Sequence, residues 1–398
     1  MKRFLKATLI LSLLTTLSGC GEVEKIAADD EEAVDYHVAV CLPFTGSNAS
    51  YANYIKRGME LGAQMLAEDG GLNGKGGKII LDYYDDQNDA TEGANIAEKI
   101  VSSEDPYYLL EVGSFSSSVS LPCASIYNDA EVPQFALTCS HPDFLKSTDW
   151  GFSISMTQDV ASSRVAAWDV RYLNKTEIAV IYTNTSWGNE CVTYYTKCAE
   201  KLGANILDTL SYEEGANDFT TIITKLKSEN PELVMCFCGE DDIVNIIKEA
   251  DKQNFKPVFQ VSSKSRTTNV IDNLGVLAEG LYGVYGDEKD PENQIYARYY
   301  EAYMKQFADE GEVTQKYADQ GYNCFRIISW AIENGGTTRE KFRDTLSTLK
   351  DFMGVQGTIS FAADRKVILP QHLSIVENGK WRNIDIDHFD VDEIAGNK

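Results

Sequence analysis

The chain has 398 residues and carries 61 acidic against 36 basic side chains, a net charge of −25. That length accommodates about two domains with sizeable cores, and the acidity argues against a nucleic-acid partner, because binding phosphates needs a basic surface. No second apolar run of membrane-spanning length follows the first twenty residues, so no spanning helix is predicted.

In chain order, Lys2, Arg3 and Lys6 precede an apolar run from Ala7 to Leu17 and small residues before Cys20. A basic start, a short apolar stretch and small residues at a cleavage point fit a secretory signal too short to cross a bilayer. The ending Leu17-Ser18-Gly19-Cys20 resembles a bacterial lipobox. That resemblance implies a signal peptide over 1–19, lipidation of Cys20 and an extracytoplasmic lipoprotein on the periplasmic face or cell surface. Two or more acyl chains at about 0.8 kcal/mol per buried CH₂ hold such a protein to the membrane. Residues 1–19 contain three basic and no acidic side chain, so their removal leaves a net charge of −28. Residues 20–34, with Asp29-Asp30-Glu31-Glu32, read as an acidic tether.

From about Tyr36, β-branched or aromatic runs alternate with amphipathic helical stretches. Strands are predicted at 37–42, 78–84, 107–112 and 132–137, with helices at 51–68, 90–103 and 117–129 between them. A second alternating set begins near Glu177, with strands at 177–183, 205–211, 232–238 and 257–261 and helices at 188–202, 218–228 and 241–253. Such a rhythm predicts parallel sheets covered by helices on both faces, in two α/β lobes. In the first helix Gly58 and Gly62 are expected to permit close approach to the sheet, and Asp241 is a plausible N-cap for the helix after 238. The tail segments Gln356–Phe361 and His372–Val376 read as strands. Eight cysteines beyond Cys20 lie mostly in apolar runs, as Cys41, Cys236 and Cys238 do, and most read as buried free thiols. Cys236 and Cys238 share a face of one strand and lack the loop context of a zinc site.

The most suggestive loop is Gly113 to Ser120, where serines crowd the junction of a strand and a helix. Free backbone N–H groups at a helix N-terminus favour an anion such as a carboxylate, although serines there also simply cap helices. Ligands of open parallel sheets bind beyond the carboxyl ends of strands, and this loop is such an end. A second such loop, Leu137 to Pro142, could offer Thr138 and Ser140. Enzyme signals fail: Gly70–Gly77 lacks the spacing of a phosphate-binding loop, the serines do not form Gly-x-Ser-x-Gly, and four scattered histidines suggest neither a zinc site nor a Ser-His pair. No catalytic residue, cofactor or metal is predicted.

Taken together, Val38 to Gly46, Tyr51 to Leu61, Gly70 to Gly74, Tyr84 to Gln87, Ile126 to Pro133, Trp187-Gly188, Asp218 to Thr220, Tyr317 to Tyr322 and Gly354 to Gly357 match a known order of motifs. From Tyr36 to Val376 the chain resembles the type I periplasmic binding proteins, the substrate-binding lipoproteins of branched-chain amino acid ABC transporters. The resemblance implies an α/β fold of two doubly wound parallel-sheet lobes joined by three crossovers. The N-terminal lobe would take 35–154 plus 288–352 and the C-terminal lobe 155–287 plus 353–395, with crossovers near Phe152–Thr157, Tyr282–Asp287 and Met353–Gly357. It puts the carboxylate-holding serine at Ser117, pocket positions at Phe115 and Ser116, second-loop positions at Thr138 and Ser140, and cleft aromatics at Tyr51 and Trp187.

Two departures bear on the ligand. Where the family usually has an acidic residue for the ligand's ammonium, this chain has Ser263, and where it often has a tyrosine after strand 232–238, this chain has Gly239-Glu240. A buried ammonium needs an acceptor, so either Glu240, Asp241 or Asp242 substitutes or the ligand is not a plain α-amino acid. Lys264 and Arg266 either read a second anionic group or are solvated surface charges. The sequence thus predicts a non-enzymatic solute-binding lipoprotein that closes over an amino acid or related organic acid and delivers it to an ABC permease. The alternative is a ligand-sensing receptor component of the same fold.

Overall fold

The computed structural model describes residues 33–286, 292–307, 315–355, 357–384, 386 and 389–396; the expected signal segment, Cys20 and most of the tether lie outside the described residues. The first sheet contains β1 (Tyr36–Leu42), β2 (Ile79–Asp85), β3 (Tyr108–Gly113), β4 (Gln134–Ala136) and β5 (Gly151–Ser153). Between these strands run α1 (Ala49–Glu68), α2 (Ala90–Val101), α3 (Ser117–Asp129) and α4 (Pro142–Ser147). All its pairings are parallel, in the order β2-β1-β3-β4-β5. Strand periodicity explains why β1 is apolar along most of its length. Val38, Val40 and Leu42 enter one core with Ile55 and Met59, while Ala39 and Cys41 enter another with Ile96, Ile100 and Val119.

The chain then enters α5 (Gln158–Ala167) and a wider π-helical turn at Trp168–Tyr172. The second sheet follows with β6 (Glu177–Thr183), β7 (Asn205–Tyr212), β8 (Leu233–Phe237), β9 (Val258–Val261) and β10 (Tyr282–Tyr285). Its helices are α6 (Ser186–Lys201), α7 (Thr220–Glu229), α8 (Glu240–Lys252) and α9 (Thr268–Leu274). Here too alternate residues divide between two cores: Val234 and Cys236 on one face of β8, Leu233, Met235 and Phe237 on the other. The eight described cysteines are all buried and free.

Next, α10 (Gln294–Phe307), α11 (Gln315–Glu333) and α12 (Arg339–Leu346) return to the first sheet, and β11 (Phe352–Gly354), β12 (Gly357–Phe361) and β13 (Val367–Ile368) form a small antiparallel sheet. Last, β14 (His372–Glu377) and β15 (Lys380–Asn383) add antiparallel strands to the second sheet, and α13 (Val391–Ala395) packs on α5.

Ile359, Phe361 and Val367 bury their side chains in the core of the first sheet. Two local expectations need correction. Gly58 and Gly62 approach α11 instead of the sheet: a Cβ on Gly58 would stand 1.9 Å from the Ala318 carbonyl oxygen, and one on Gly62 2.7 Å from the Phe325 ring. The helix after β8 starts one residue before Asp241. Gly239 occupies its N-cap, and the Asp242 carboxylate accepts from the Gly239 N–H at 3.1 Å.

Candidate ligand-binding cleft

The carboxyl ends of β3 and β4 open into a cavity of about 250 Å³ whose other wall comes from α6, β8 and the loop after β9. At its first wall β3 stops at Gly113, where a side chain would meet the Cys41 carbonyl oxygen at 2.1 Å. Beyond the turn, Ser120 ties the loop down. Its hydroxyl accepts from the Ser114 N–H at 3.2 Å and lies 3.1 Å from the Ser116 carbonyl oxygen to which it donates. Ser116, Ser117 and Ser118 are thereby held at the start of α3 and line the cavity. The Ser116 and Ser118 hydroxyls stand 3.0 Å apart, and Ser117 is buried. Ser116 makes no side-chain cap, so its position is not accounted for by helix capping.

From the second loop, the Thr138 hydroxyl donates to the Phe115 carbonyl oxygen. Its only hydrogen is then engaged, and what it offers the cavity is an acceptor. Ser140 accepts from Gln158 Nε2 at 2.9 Å, and Ser162 donates to Gln158 Oε1 at 2.8 Å, which orients that amide at the base of α5.

Trp187 enters from the opposite wall on the first turn of α6. Thr185 caps this helix by accepting from the Gly188 N–H at 3.1 Å, and Gly188 is required because a Cβ would stand 1.9 Å from the Thr183 carbonyl oxygen. Trp187 meets Phe237 edge-on at 6.4 Å between centroids, and Lys264 Nζ lies 5.0 Å from its ring centroid.

Seven of the nine residues expected at the site line this one cavity: Phe115, Ser116, Ser117, Thr138, Ser140, Trp187 and Ser263. Two do not. Tyr51 stacks behind Phe115 at 5.1 Å with the rings 5° from parallel, and also contacts Tyr317 at 4.8 Å. Glu240 is buried outside the lining, with Oε2 accepting from Asn269 Nδ2 at 3.0 Å. Burial raises the Tyr51 and Tyr317 phenols well above their usual range, and the Glu240 carboxylate pushes both further, so both rings are neutral.

Sequence reasoning missed Asn88, Gln320 and Gln371 as lining residues. Asn88 Oδ1, Ser262 Oγ, Gln320 Oε1 and Gln371 Oε1 are buried polar atoms on the cavity wall without a hydrogen-bond partner among the described residues. A signal for Asn88 existed, since it follows the strand-end run Tyr84 to Gln87; Gln371 lies in a connector with no local pattern.

A family model described as a periplasmic binding protein matches residues 35–379, and the chain belongs to that family. Among curated relatives, Leu/Ile/Val-binding protein homolog 1 of Brucella suis biovar 1 (strain 1330) is 23% identical over 352 residues, covering 87% of this chain and 91% of the relative. Among solved structures, a leucine-binding protein from Thermotoga maritima shares the fold with a TM-score of 0.78 at 20% identity, covering 88% of this chain and 98% of that one. A solute-binding protein of an ABC transporter from R. palustris, in complex with benzoate, does so with a TM-score of 0.78 at 16% identity over 88% and 95%. The protein is therefore a periplasmic binding protein, not an enzyme, and its family works outside the cytoplasm. Among the described residues no helix is long and apolar enough to cross a membrane.

Proposed function

We propose that the cavity between the two sheets takes a small ligand bearing a carboxylate, an amino acid or a related organic acid, and that the protein presents it to an ABC permease while anchored through a lipid on Cys20. The observation that carries this reading is the convergence of Ser116, Ser117 and Ser118 on the cavity at the start of α3. Backbone N–H groups and hydroxyls there favour negative charge. Phe115 and Trp187 provide apolar surface for the body of the ligand. The leucine-binding and benzoate-binding relatives of this fold are named for carboxylates, which agrees with the reading.

In this account the N-terminal lobe comprises 35–154 plus 288–352, extended through β13 by the buried side chains of Ile359, Phe361 and Val367. The C-terminal lobe comprises 155–287 and the chain from β14 onward. Ligand seated on Ser117 draws the lobes together because Trp187 and the loop after β9 add contacts only when the cleft is closed.

Thermal unfolding with a panel of amino acids and aliphatic and aromatic acids tests it. A true ligand at 100 times Kd adds about 2.7 kcal/mol and raises Tm. A panel in which no carboxylate moves Tm overturns the proposal. For the anchor, mass spectrometry of the membrane-extracted protein should find acyl chains on Cys20, absent in Cys20→Ala.

A further inference from the structure

We propose that the second wall of the cleft reads a second anionic group of the ligand through Lys264, so that the preferred ligands carry two negative charges. This rests on the carboxylate reading above and adds the class of acid. The sequence left open whether Lys264 and Arg266 read a second anionic group or are solvated surface charges, and the two residues differ in their surroundings. Arg266 is engaged elsewhere: its guanidinium lies 4.0 Å from the Tyr285 ring and 5.2 Å from Trp381, and donates to Ser374 and Asn383 at 3.2 Å each. It does not line the cavity, whereas Lys264 does.

Lys264 is half-buried, with its ammonium against the face of Trp187. Among the described residues it has no carboxylate partner. Removing an ammonium from water without a counter-ion is unfavourable, and a ring face compensates only part of that cost. Beside it, Ser262 is 7% exposed and lines the same cavity with a hydroxyl that has no hydrogen-bond partner among the described residues. An ammonium and a buried hydroxyl on the loop after β9 can both donate to one anionic group.

Acids along the wall are few. The one carboxylate among the described lining residues is Glu214, which is exposed at the rim. Glu240, the acid best placed in sequence to receive an ammonium, is outside the lining and held by Asn269. The cleft is therefore built for an acid at each end, with Phe115 and Trp187 flanking the apolar body, whether or not the ligand also carries an amine.

Isothermal titration calorimetry with three matched pairs tests this: butyrate against glutarate, benzoate against terephthalate, and norvaline against glutamate. The expected result is that at least one pair binds and that its doubly charged member binds about tenfold or more tightly, corresponding to about 1.4 kcal/mol. Lys264→Met should bring the two members within about twofold, and Lys264→Arg should preserve most of the gap. Equal affinities in the wild type, or a gap that survives Lys264→Met in protein with wild-type circular dichroism, overturn the assignment of Lys264 alone. Failure of all six acids to bind overturns the carboxylate reading itself along with it.

Discussion

Asp169 is the residue whose surroundings most directly make a solution property predictable. It is fully buried next to Trp168, and the Tyr195 hydroxyl donates to Oδ2 at 2.5 Å. Burial raises its carboxyl to about 8, against a pull downward from the Tyr195 hydrogen bond. The folded chain thus keeps a proton that the unfolded chain releases near its ordinary value of 3.8. Where the folded state binds more protons, stability falls as pH rises. Asp169 should therefore make Tm decline between about pH 4 and pH 8. Asp169→Asn, close to isosteric with the neutral acid, should flatten that part of the Tm–pH profile. At the cleft, Ser117→Ala removes a buried hydroxyl beside the proposed carboxylate. A hydrogen bond to a charged group is worth about 1.5–3 kcal/mol, so calorimetry should show affinity about ten- to a hundredfold weaker, with the unliganded Tm nearly unchanged.

Between elements, the pairing of α1 with α11 depends on the absence of side chains. Gly58 faces the Ala318 carbonyl oxygen, and Gly321 in return faces Ile55, where a Cβ would stand 2.1 Å from the carbonyl oxygen. Replacing a helical glycine by alanine normally stabilises by about 1 kcal/mol. Here the obstacle is backbone, which no rotamer change relieves, so the helices must separate and loosen the core containing Ile55, Met59 and Phe325. Overpacking of this kind costs about 1–3 kcal/mol or more, and it outweighs the propensity gain. Urea unfolding of Gly58→Ala should show lower stability and an unchanged m-value. The glycines were visible in the sequence, but what they face was not, because helical spacing tells which residues share a stripe and not which neighbour covers it. The strands β1, β6 and β8 were legible to within a residue or so because their apolar runs are bounded by turns. By contrast β11 to β13 carry the alternation of any strand, so nothing local assigns them to the first core. The serine loop after β3 and the loop after β4 were legible as lining of a cavity because both end parallel strands. Tyr51 stands one layer behind the cavity wall, which its sequence does not reveal, since an aromatic on the wall and one that backs it look alike in sequence.

For the whole molecule, what matters under the proposed closure is which contacts join elements of the first sheet to elements of the second. His141, on the loop after β4, and Glu190, on α6, form such a contact: Nε2 and Oε1 are 3.1 Å apart, with side chains 12% and 23% exposed. The ring is oriented from behind, because its Nδ1 accepts from the Asp143 N–H at 3.1 Å, leaving the hydrogen on Nε2 to point at Glu190. Neither residue lines the cavity, so neither touches ligand there. The pair therefore acts on affinity through the closed population alone: any free energy it contributes to closure is added to that of binding. Exposed pairs contribute about 0.2–1 kcal/mol, and partial burial puts this one near the upper end. Glu190→Ala should then weaken ligand binding by about threefold to fivefold, mainly through faster release, with unchanged circular dichroism. His141→Ala should do the same, and the double variant should be no weaker than either single one, because once one partner is gone the other has nothing left to hold. Additive losses would mean that the two side chains act separately and that the latch is not a unit. Small-angle scattering then discriminates further: at a ligand concentration near the wild-type Kd, the broken-latch variants should show a larger radius of gyration than the wild type, and the difference should vanish at saturating ligand, since the ligand's own contacts suffice to close the cleft.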